Sequence, residues 1–209
     1  DEIRDVPKQL VVLSDGSEAL VIGDVEGLRQ HGHKQGNNEL GFLGDCGLVS
    51  CENVLRGFGH EVTENDIVGY AAENGLCAIH ERAELAGGTT MQDQAEILAA
   101  FGVPAHSETD CSLEDLAEYM EEGRGVIIEV DSSVLWDQPS FTLGNVDHAI
   151  TLTGVARDPA SGEILGFYVN DSGSGSSGLF VDRDKMDAMF NGSPWGGPGA
   201  CVVTDIVYC

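Results

Sequence analysis

"GFLGDCGLVSCENVLRGFG", residues 41–59, is the stretch that decides the fold. A glycine-rich, turn-prone run ends in Asp-Cys-Gly, and an apolar periodicity begins directly after it. The apolar positions follow at spacings of three, four and three, which is helical spacing: Leu48, Cys51, Leu55 and Phe58. The pattern predicts a helix that starts at Cys46, and Gly57 and Gly59 indicate where it ends.

A cysteine at the start of a helix is a candidate nucleophile. The first turn of a helix has unpaired backbone N–H groups and the positive end of the helix dipole, and both stabilise a thiolate. The thiolate is the nucleophilic form, so Cys46 is well placed for covalent catalysis. The alternative is a buried structural thiol, which is common among free cysteines. Cys51, on the apolar stripe of the same helix, is interpreted as such a core residue.

Cap signals and β-branched runs predict the other elements. Helices are expected after Thr63, Thr90 and Ser112, each followed three residues later by an aspartate. A hairpin is expected at about residues 9–23, and β-branched and aromatic runs predict strands at 125–131, 148–156, 163–171 and 201–209. Helices therefore precede an antiparallel sheet, which predicts an α+β fold.

The segments between these elements are interpreted by composition. Residues 29–45 are polar and glycine-rich, which predicts a long loop of the kind that often carries function. Residues 172–178, "SGSGSSG", are expected to form a short flexible loop. Residues 178–190 are interpreted as a surface helix.

A histidine and an aspartate lie at neighbouring strand ends in this prediction. His148 opens the strand "HAITLTGVA", and Asp171 ends the following strand "EILGFYVND". If the turn "RDPASG" joins the two strands into a hairpin, His148 lies beside Asp171. His148 can then be the base that a cysteine nucleophile requires, and Asp171, or its neighbour Asn170, can orient the imidazole.

Three motifs, "GDCGLVSC", "DHAITLTGV" and "FYVNDSG", resemble in this order the papain-like cysteine peptidases. The most similar branch is that of the bacteriocin-leader peptidases attached to ABC exporters, which cleave after Gly-Gly. Papain-like domains of secreted bacterial toxins are similar as well. The motifs span residues 44–173. The resemblance implies a papain-like fold in which Cys46 is the nucleophile, His148 the base and Asp171 the residue that orients it.

The oxyanion hole departs from the family pattern. The resemblance implies a glutamine six residues before the cysteine, where this chain has Leu40. Gln35, eleven residues before Cys46, is the candidate that replaces it, and the Cys46 backbone N–H is the expected second donor. The alternative side-chain donors are Asn37, Asn38 and Gln30.

Composition limits the partners of the chain. Its 209 residues include 36 Asp and Glu against 10 Lys and Arg, a formal net charge of −26 at pH 7. A surface of this sign repels nucleic acid and anionic lipid, so we expect neither as a partner. No run of about 18 apolar residues is present, so no membrane span is expected.

Neither a metal nor a cofactor is expected. The six cysteines lack C-x-x-C spacing, and the "HGH" at residues 31–33 has no companion ligand at useful spacing. The scatter of the cysteines favours a reducing compartment, with an intramolecular disulfide through Cys201 or Cys209 as the alternative.

The residues and the resemblance together predict a cysteine endopeptidase that acts on a protein or peptide, with Gly-Gly as the first candidate site. The chain starts without an initiator methionine, and the likeness to toxins implies an effector domain of a larger secreted bacterial protein. Such a domain is expected to act in the cytoplasm of a target cell, the alternative being the cytoplasm of its own cell. A cognate immunity protein is expected to inhibit it.

Two other functions stay open at this point. One is a deamidase, transglutaminase or amidase that uses the same three residues, and the other is a peptide-binding module with weak catalysis. The predicted domains are a hairpin extension over residues 1–28 and a papain-like catalytic domain over residues 29–209.

Overall fold

A computed structural model describes residues 5–139, 147–191 and 199–208. The first half contains β1 (Lys8–Val12), β2 (Glu18–Ile22), α1 (Val25–Arg29), α2 (Cys46–Gly57), α3 (Glu64–Glu73), a 3₁₀ helix (Ala83–Leu85), α4 (Met91–Ala100), β3 (Ala105–Glu108) and α5 (Leu113–Glu122). The second half contains β4 (Arg124–Val130), α6 (Ser132–Leu135), β5 (His148–Arg157), β6 (Ile164–Asp171), β7 (Ser176–Asp182), α7 (Arg183–Asn191) and β8 (Cys201–Val207). The predicted α+β fold is confirmed.

The eight strands form one sheet in which the paired strands are antiparallel. Its centre is β5, which pairs with β6 along one edge. Along the other edge β5 pairs first with β4 and then with β2. β7 continues the sheet beyond β6, while β8 and β3 continue it beyond β4. The active-site prediction depends on this centre, because His148 begins β5 and Asp171 ends β6.

Helices cover both faces of the sheet. The core on the α2, α3 and α4 side contains Leu48, Leu55, Ile67 and Ile97 with Ile127 of β4. The core on the α5 and α7 side contains Leu116, Met120, Met186 and Phe190 with Ile128 of β4. Successive side chains of a strand point to opposite faces, so Ile127 and Ile128 each anchor a different core.

The cap signals of the sequence are confirmed. Thr63, Thr90 and Ser112 each accept a hydrogen bond from the backbone N–H three residues later, and the aspartate there bonds back to the cap N–H. Each capping box satisfies two N–H groups that the helix itself cannot pair. α2 also begins at Cys46 as predicted, and residues 30–45 contain neither helix nor strand.

The segment after Asp171 differs from the prediction. Residues 176–182 form β7, which replaces the end of the expected loop 172–178 and the first half of the expected helix 178–190. The Ser/Gly composition hid a strand that is fixed by pairing with β6, where the Tyr168 and Phe180 rings lie 5.3 Å apart. The helix that follows, α7, lies at the surface as predicted, and its apolar face packs on the core: Met186, Met189 and Phe190.

The predicted N-terminal hairpin is present as β1 and β2. β2 pairs with β5 over three positions, so the hairpin extends the central sheet. The domain boundary at residue 28 stays a prediction. No helix in the described ranges is both long and apolar enough to cross a membrane.

Candidate active site

Cys46 is the first residue of α2. Cys46 is partly exposed, and Asp45, although it stands at the N-cap position, makes no side-chain cap hydrogen bond. A Cβ on Gly47 would lie 2.1 Å from Thr89 Oγ1 and 2.7 Å from Gln94 Nε2. Glycine therefore lets α2 approach these side chains closely, while the cysteine beside it stays accessible.

His148 and Asp171 are brought together as predicted. β5 and β6 form the expected hairpin, and His148 Nε2 lies 2.7 Å from Asp171 Oδ1. Both residues are buried, with 4% and 1% of their surface exposed. Asn170, the alternative orienting residue, instead donates to Leu28 O and Asn53 Oδ1 at 3.0 Å and has a structural role.

The Cys46 thiol lies against the same imidazole. Burial lowers the pKa of His148, but hydrogen bonds to Asp171 and Cys46 and the negative charge on both partners outweigh burial and raise the pKa to about 10. Since Nε2 is bonded to Asp171, Nδ1 is the ring nitrogen left for the sulfur. A single imidazole thus connects the sulfur of α2 to the carboxylate of β6.

The Asp171 carboxylate is held by four donors besides His148. Oδ1 accepts from Gly173 N at 2.9 Å, and Oδ2 accepts from Trp136 Nε1 at 2.8 Å and from the hydroxyl and N–H of Ser174 at 2.6 and 3.3 Å. Burial raises the pKa of Asp171, but the hydrogen bond to His148, the positive charge of His148 and the side-chain hydrogen bonds from Ser174 and Trp136 hold it well below the ordinary range. The carboxylate is therefore ionised and fixed in direction.

Trp136 also packs against the imidazole. Its ring centroid lies 5.1 Å from that of His148, at an interplanar angle of 53°. A Cβ on Gly173 would lie 2.3 Å from Trp136 Cζ2 and 3.0 Å from His148 Cε1, so only glycine fits there without a shift of the rings. Trp136 therefore fixes both the carboxylate and the ring that the carboxylate orients.

Gln35 lies between the segments that carry Asp171 and Cys46. Its backbone N–H donates to Ser172 O at 2.9 Å, and its side-chain Oε1 accepts from Ser172 Oγ at 2.9 Å. Its Nε2 donates to Leu43 O at 2.7 Å. An amide nitrogen has two N–H donors, so one remains beyond the bond to Leu43.

The other proposed donors are occupied differently. Asn38 Nδ2 donates to Phe42 O at 2.8 Å, to Glu64 Oε1 at 3.1 Å and to Asp45 Oδ2 at 3.3 Å. Asn37 is exposed, and its backbone N–H donates to Glu64 Oε1 at 2.8 Å. The Asn38 amide is thus engaged by three acceptors, whereas the Gln35 amide has one N–H beyond its bond to Leu43, and the oxyanion-hole role of Gln35 stays a prediction.

A buried acidic group lies beside Cys46. Asp45 and Glu64 are 0% and 3% exposed, and Glu64 Oε1 gathers the N–H groups of Gly36 and Asn37 at 2.8 Å. Burial, the hydrogen bond with Glu64 and its negative charge raise the pKa of Asp45 to about 8. The raised pKa favours the protonated form of Asp45 and so reduces the negative charge next to Cys46.

The "HGH" segment contacts carboxylates that come from distant helices. His33 Nε2 lies 2.6 Å from Glu52 Oε2 of α2, and Nδ1 lies 3.6 Å from Glu64 Oε2 of α3. The hydrogen bond to Glu52 is the largest of several causes that raise the pKa of His33 to about 9. His33 thereby fastens the long loop to α2 and α3.

Sequence reasoning missed Trp136, Ser174 and Glu64. Trp136 and Glu64 reach the site from other parts of the chain, and neither belongs to a motif. Ser174 lies in the segment interpreted as a flexible loop, where its distance of three residues from Asp171 is the usual spacing of a turn contact. Asp45 belongs to the Asp-Cys-Gly motif and is hydrogen-bonded to Glu64, so the need for a partner of this buried carboxyl was the one signal for Glu64.

The chain is similar to known proteins in sequence and in fold. The sequence matches the model of the Peptidase_C39 like family over residues 22–192. No curated protein matches the sequence.

Two solved structures have a similar fold. A double glycine motif protease from an AMS/PCAT transporter, solved in complex with the leader peptide, aligns with a TM-score of 0.50 and 16% identity over 77% of this chain and 84% of that chain. A C39-like peptidase from Bacillus anthracis aligns with a TM-score of 0.56 and 14% identity over 79% of this chain and 90% of that chain. At these identities the two structures establish the fold.

The family match includes the elements that carry Cys46, His148 and Asp171. It also begins at the end of β2, so most of the hairpin precedes it. Since the match spans well over half of the chain, the protein belongs to the Peptidase_C39 like family and is a papain-like cysteine peptidase.

Proposed function

We propose that the chain is an endopeptidase in which Cys46 is the nucleophile, His148 the general acid and base, and Asp171 the residue that orients His148. The observation that carries the proposal is the position of one imidazole, bonded to Asp171 at 2.7 Å and in contact with the Cys46 thiol. A cationic ring beside the sulfur stabilises a thiolate by charge, and the helix N-terminus adds to that effect.

The reaction follows from these positions. The Cys46 sulfur attacks the carbonyl carbon of the scissile bond, and the oxyanion is stabilised by the Cys46 backbone N–H and by Gln35 Nε2. His148 gives its proton to the departing amine, which leaves a thioester on Cys46. His148 then takes a proton from water, the hydroxide attacks the thioester, and the acid product and free thiol are released.

Labelling with iodoacetamide tests the nucleophile. We expect Cys46 to be alkylated faster than the other cysteines at pH 6, and His148→Ala to remove that difference. Cys77→Ser is the matched control, because Cys77 is also a partly exposed free thiol and lies outside the site. Equal alkylation of Cys46 and Cys77 in the wild type would contradict the proposal.

The proposed substrate is an extended peptide with a Gly-Gly cleavage site. The fold similarity to a double glycine motif protease that holds a leader peptide supports this specificity. The measurement is cleavage of leader-like peptides ending in Gly-Gly against matched peptides ending in Ala-Ala, with Cys46→Ser as the blank. A mass increase at glutamine without chain cleavage would favour the deamidase alternative instead.

We also propose that this peptidase is the toxic effector part of a larger secreted protein, neutralised by an immunity protein with a neutral or basic face. The net charge of −26 supports a partner of that kind. Expression in a bacterial cytoplasm should arrest growth with the wild type and not with Cys46→Ser. Equal growth of the two strains would contradict the effector role while leaving the peptidase proposal intact.

A further inference from the structure

Two buried cysteines and a glutamate meet on the sheet face opposite α2. Cys111 precedes α5, Cys201 begins β8, and Glu108 ends β3. Cys111 Sγ lies 3.3 Å from Cys201 Sγ and 3.4 Å from Glu108 Oε2. The three ligand atoms lie within 4.8 Å of one another, and among the described residues no other group of three such side chains does so.

The backbone holds these three residues in place. Glu108 is the direct partner of Cys201 in the β3–β8 ladder. The Cys111 N–H donates to Gly199 O at 3.0 Å, and a Cβ on Gly199 would lie 2.4 Å from Cys111 O. The turn that carries Cys111 is therefore fastened to the start of β8, and the side-chain cluster does not depend on a flexible loop.

Further side chains orient the glutamate. Tyr119 Oη donates to Glu108 Oε2 at 2.5 Å, and His106 Nε2 lies 2.7 Å from Oε1. His106 Nδ1 in turn lies 2.6 Å from Asp205 Oδ1. Hydrogen bonds to the carboxylate ligand from surrounding residues are typical of protein metal sites, where they set the direction of the ligand.

We propose that Cys111, Cys201 and Glu108 bind one Zn²⁺, with a water molecule as the fourth ligand. Two thiolates and a carboxylate around a tetrahedral centre are a donor set that zinc uses. Binding releases the two thiol protons to solvent, so the Cys₂Glu set carries three negative charges, which the ion partly neutralises. The ion joins β3, β8 and the start of α5.

A disulfide explains this cluster less well. Cys111 and Cys201 are free thiols in the structure, with their sulfurs 3.3 Å apart. A disulfide between the two cysteines also does not account for the contact between Glu108 and Cys111. The zinc proposal is independent of the peptidase reaction, since its residues lie on the other face of the sheet from Cys46.

Metal titration of the full chain tests the proposal. The Cys46→Ser protein, reduced and freed of metal, is titrated with Zn²⁺ and with Co²⁺, so that the exposed thiol cannot compete. We expect one equivalent of either ion, a thiolate-to-cobalt charge-transfer band, and a higher melting temperature with Zn²⁺. Cys201→Ser should lose all three effects, whereas the matched control Cys77→Ser should keep them.

A second variant covers the case in which Cys201→Ser does not fold. Glu108→Gln keeps an acceptor for Tyr119, so we expect a folded protein whose Zn²⁺ affinity is at least about tenfold weaker. Reduced protein with reactive Cys111 and Cys201 thiols that binds no metal would overturn the proposal. So would metal binding that survives Cys201→Ser, or a Cys111–Cys201 disulfide that forms in the presence of excess Zn²⁺.

Discussion

Two histidine–carboxylate pairs, His148 with Asp171 and His33 with Glu52, have almost the same hydrogen-bond length. His148 is 2.7 Å from Asp171, and His33 is 2.6 Å from Glu52. The pKa of each histidine is raised, to about 10 and about 9. A short hydrogen bond and a raised pKa therefore do not separate a reactive pair from a structural one.

The two pairs differ in what the second ring nitrogen of each histidine contacts. The remaining nitrogen of His148 faces the Cys46 thiol, whereas Nδ1 of His33 lies 3.1 Å from Lys34 O and 3.6 Å from Glu64 Oε2. His33 is thus bonded on both sides to groups that do not react, and it is 31% exposed in its side chain against 4% for His148. The His148 pair has the arrangement that the proposed proton transfer requires, whereas the His33 pair fastens a loop.

The largest expected effect is on activity. His148→Ala should lower kcat/KM for peptide cleavage by at least about 10³-fold, because it removes the proton acceptor. His33→Ala should lower it less than about tenfold, while lowering the free energy of unfolding by about 1–3 kcal/mol, since Glu52 and Glu64 lose a partner. Peptide kinetics and urea denaturation of both variants measure the two effects. Equal activity losses would refute the distinction drawn above.

Substitutions of the two carboxylates, Asp171 and Glu52, should also differ in their effect on kcat. Asp171→Asn should lower kcat by about 10²–10⁴-fold, because an amide no longer stabilises the imidazolium and can fix the wrong tautomer. Glu52→Gln keeps an acceptor for His33 and should leave kcat within a few-fold of the wild type. A kcat for Asp171→Asn close to that of Glu52→Gln would mean that Asp171 does not orient His148.

A smaller effect is expected from disturbing the packing of Trp136 on the His148 ring. The Cβ of Gly173→Ala meets Trp136 Cζ2 at 2.3 Å and must displace that ring, which lies on His148. We expect kcat to fall by about 10–100-fold, as misplacement by an ångström can do. Gly69→Ala, with open space around its Cβ inside α3, is the control and should stabilise by about 0.5–1 kcal/mol. Unchanged kinetics in Gly173→Ala would show that Trp136 does not position the imidazole.

Local patterns predicted the elements that carry the site. The helix start at Cys46, the capping boxes after Thr63 and Thr90, and the hairpin that joins His148 to Asp171 all depend on residues close in sequence. Such features are set by hydrogen bonds and side-chain spacing that a short segment encodes by itself. The turn between the strands predicted the β5–β6 hairpin but not its register, which has irregularities between Leu152 and Gly154 and between Ala156 and Arg157.

Contacts between distant segments were not predictable from the same patterns. Trp136 reaches Asp171 across 35 positions, and Cys111 reaches Cys201 across 90. β7 was missed because its stability comes from pairing with β6 and not from its Ser/Gly composition. Packing across the sheet determines these contacts, and the spacing of residues in the sequence does not encode that packing.

The smallest expected effect is on the pH dependence of the free energy of unfolding, to which both histidine–carboxylate pairs contribute. The pKa values of His33, Asp45 and His148 are raised, to about 9, 8 and 10, so the native state binds more protons than the unfolded chain. The His33 contribution is fully present below its ordinary pKa of about 6.5 and is lost as the pH rises through about 9. The free energy of unfolding should therefore fall from about pH 6 to pH 9.

His33→Gln and His148→Gln should each flatten that fall, because each removes one of the groups that cause it. Asp171 has the opposite sign, since its lowered pKa gives stability that is lost only as the pH falls. Urea denaturation of the three proteins at about pH 6, 7.5 and 9 measures the slopes. A wild type whose stability rises toward pH 9 would mean that neither histidine is held in its charged form, and the likeness between the two pairs would then be geometric only.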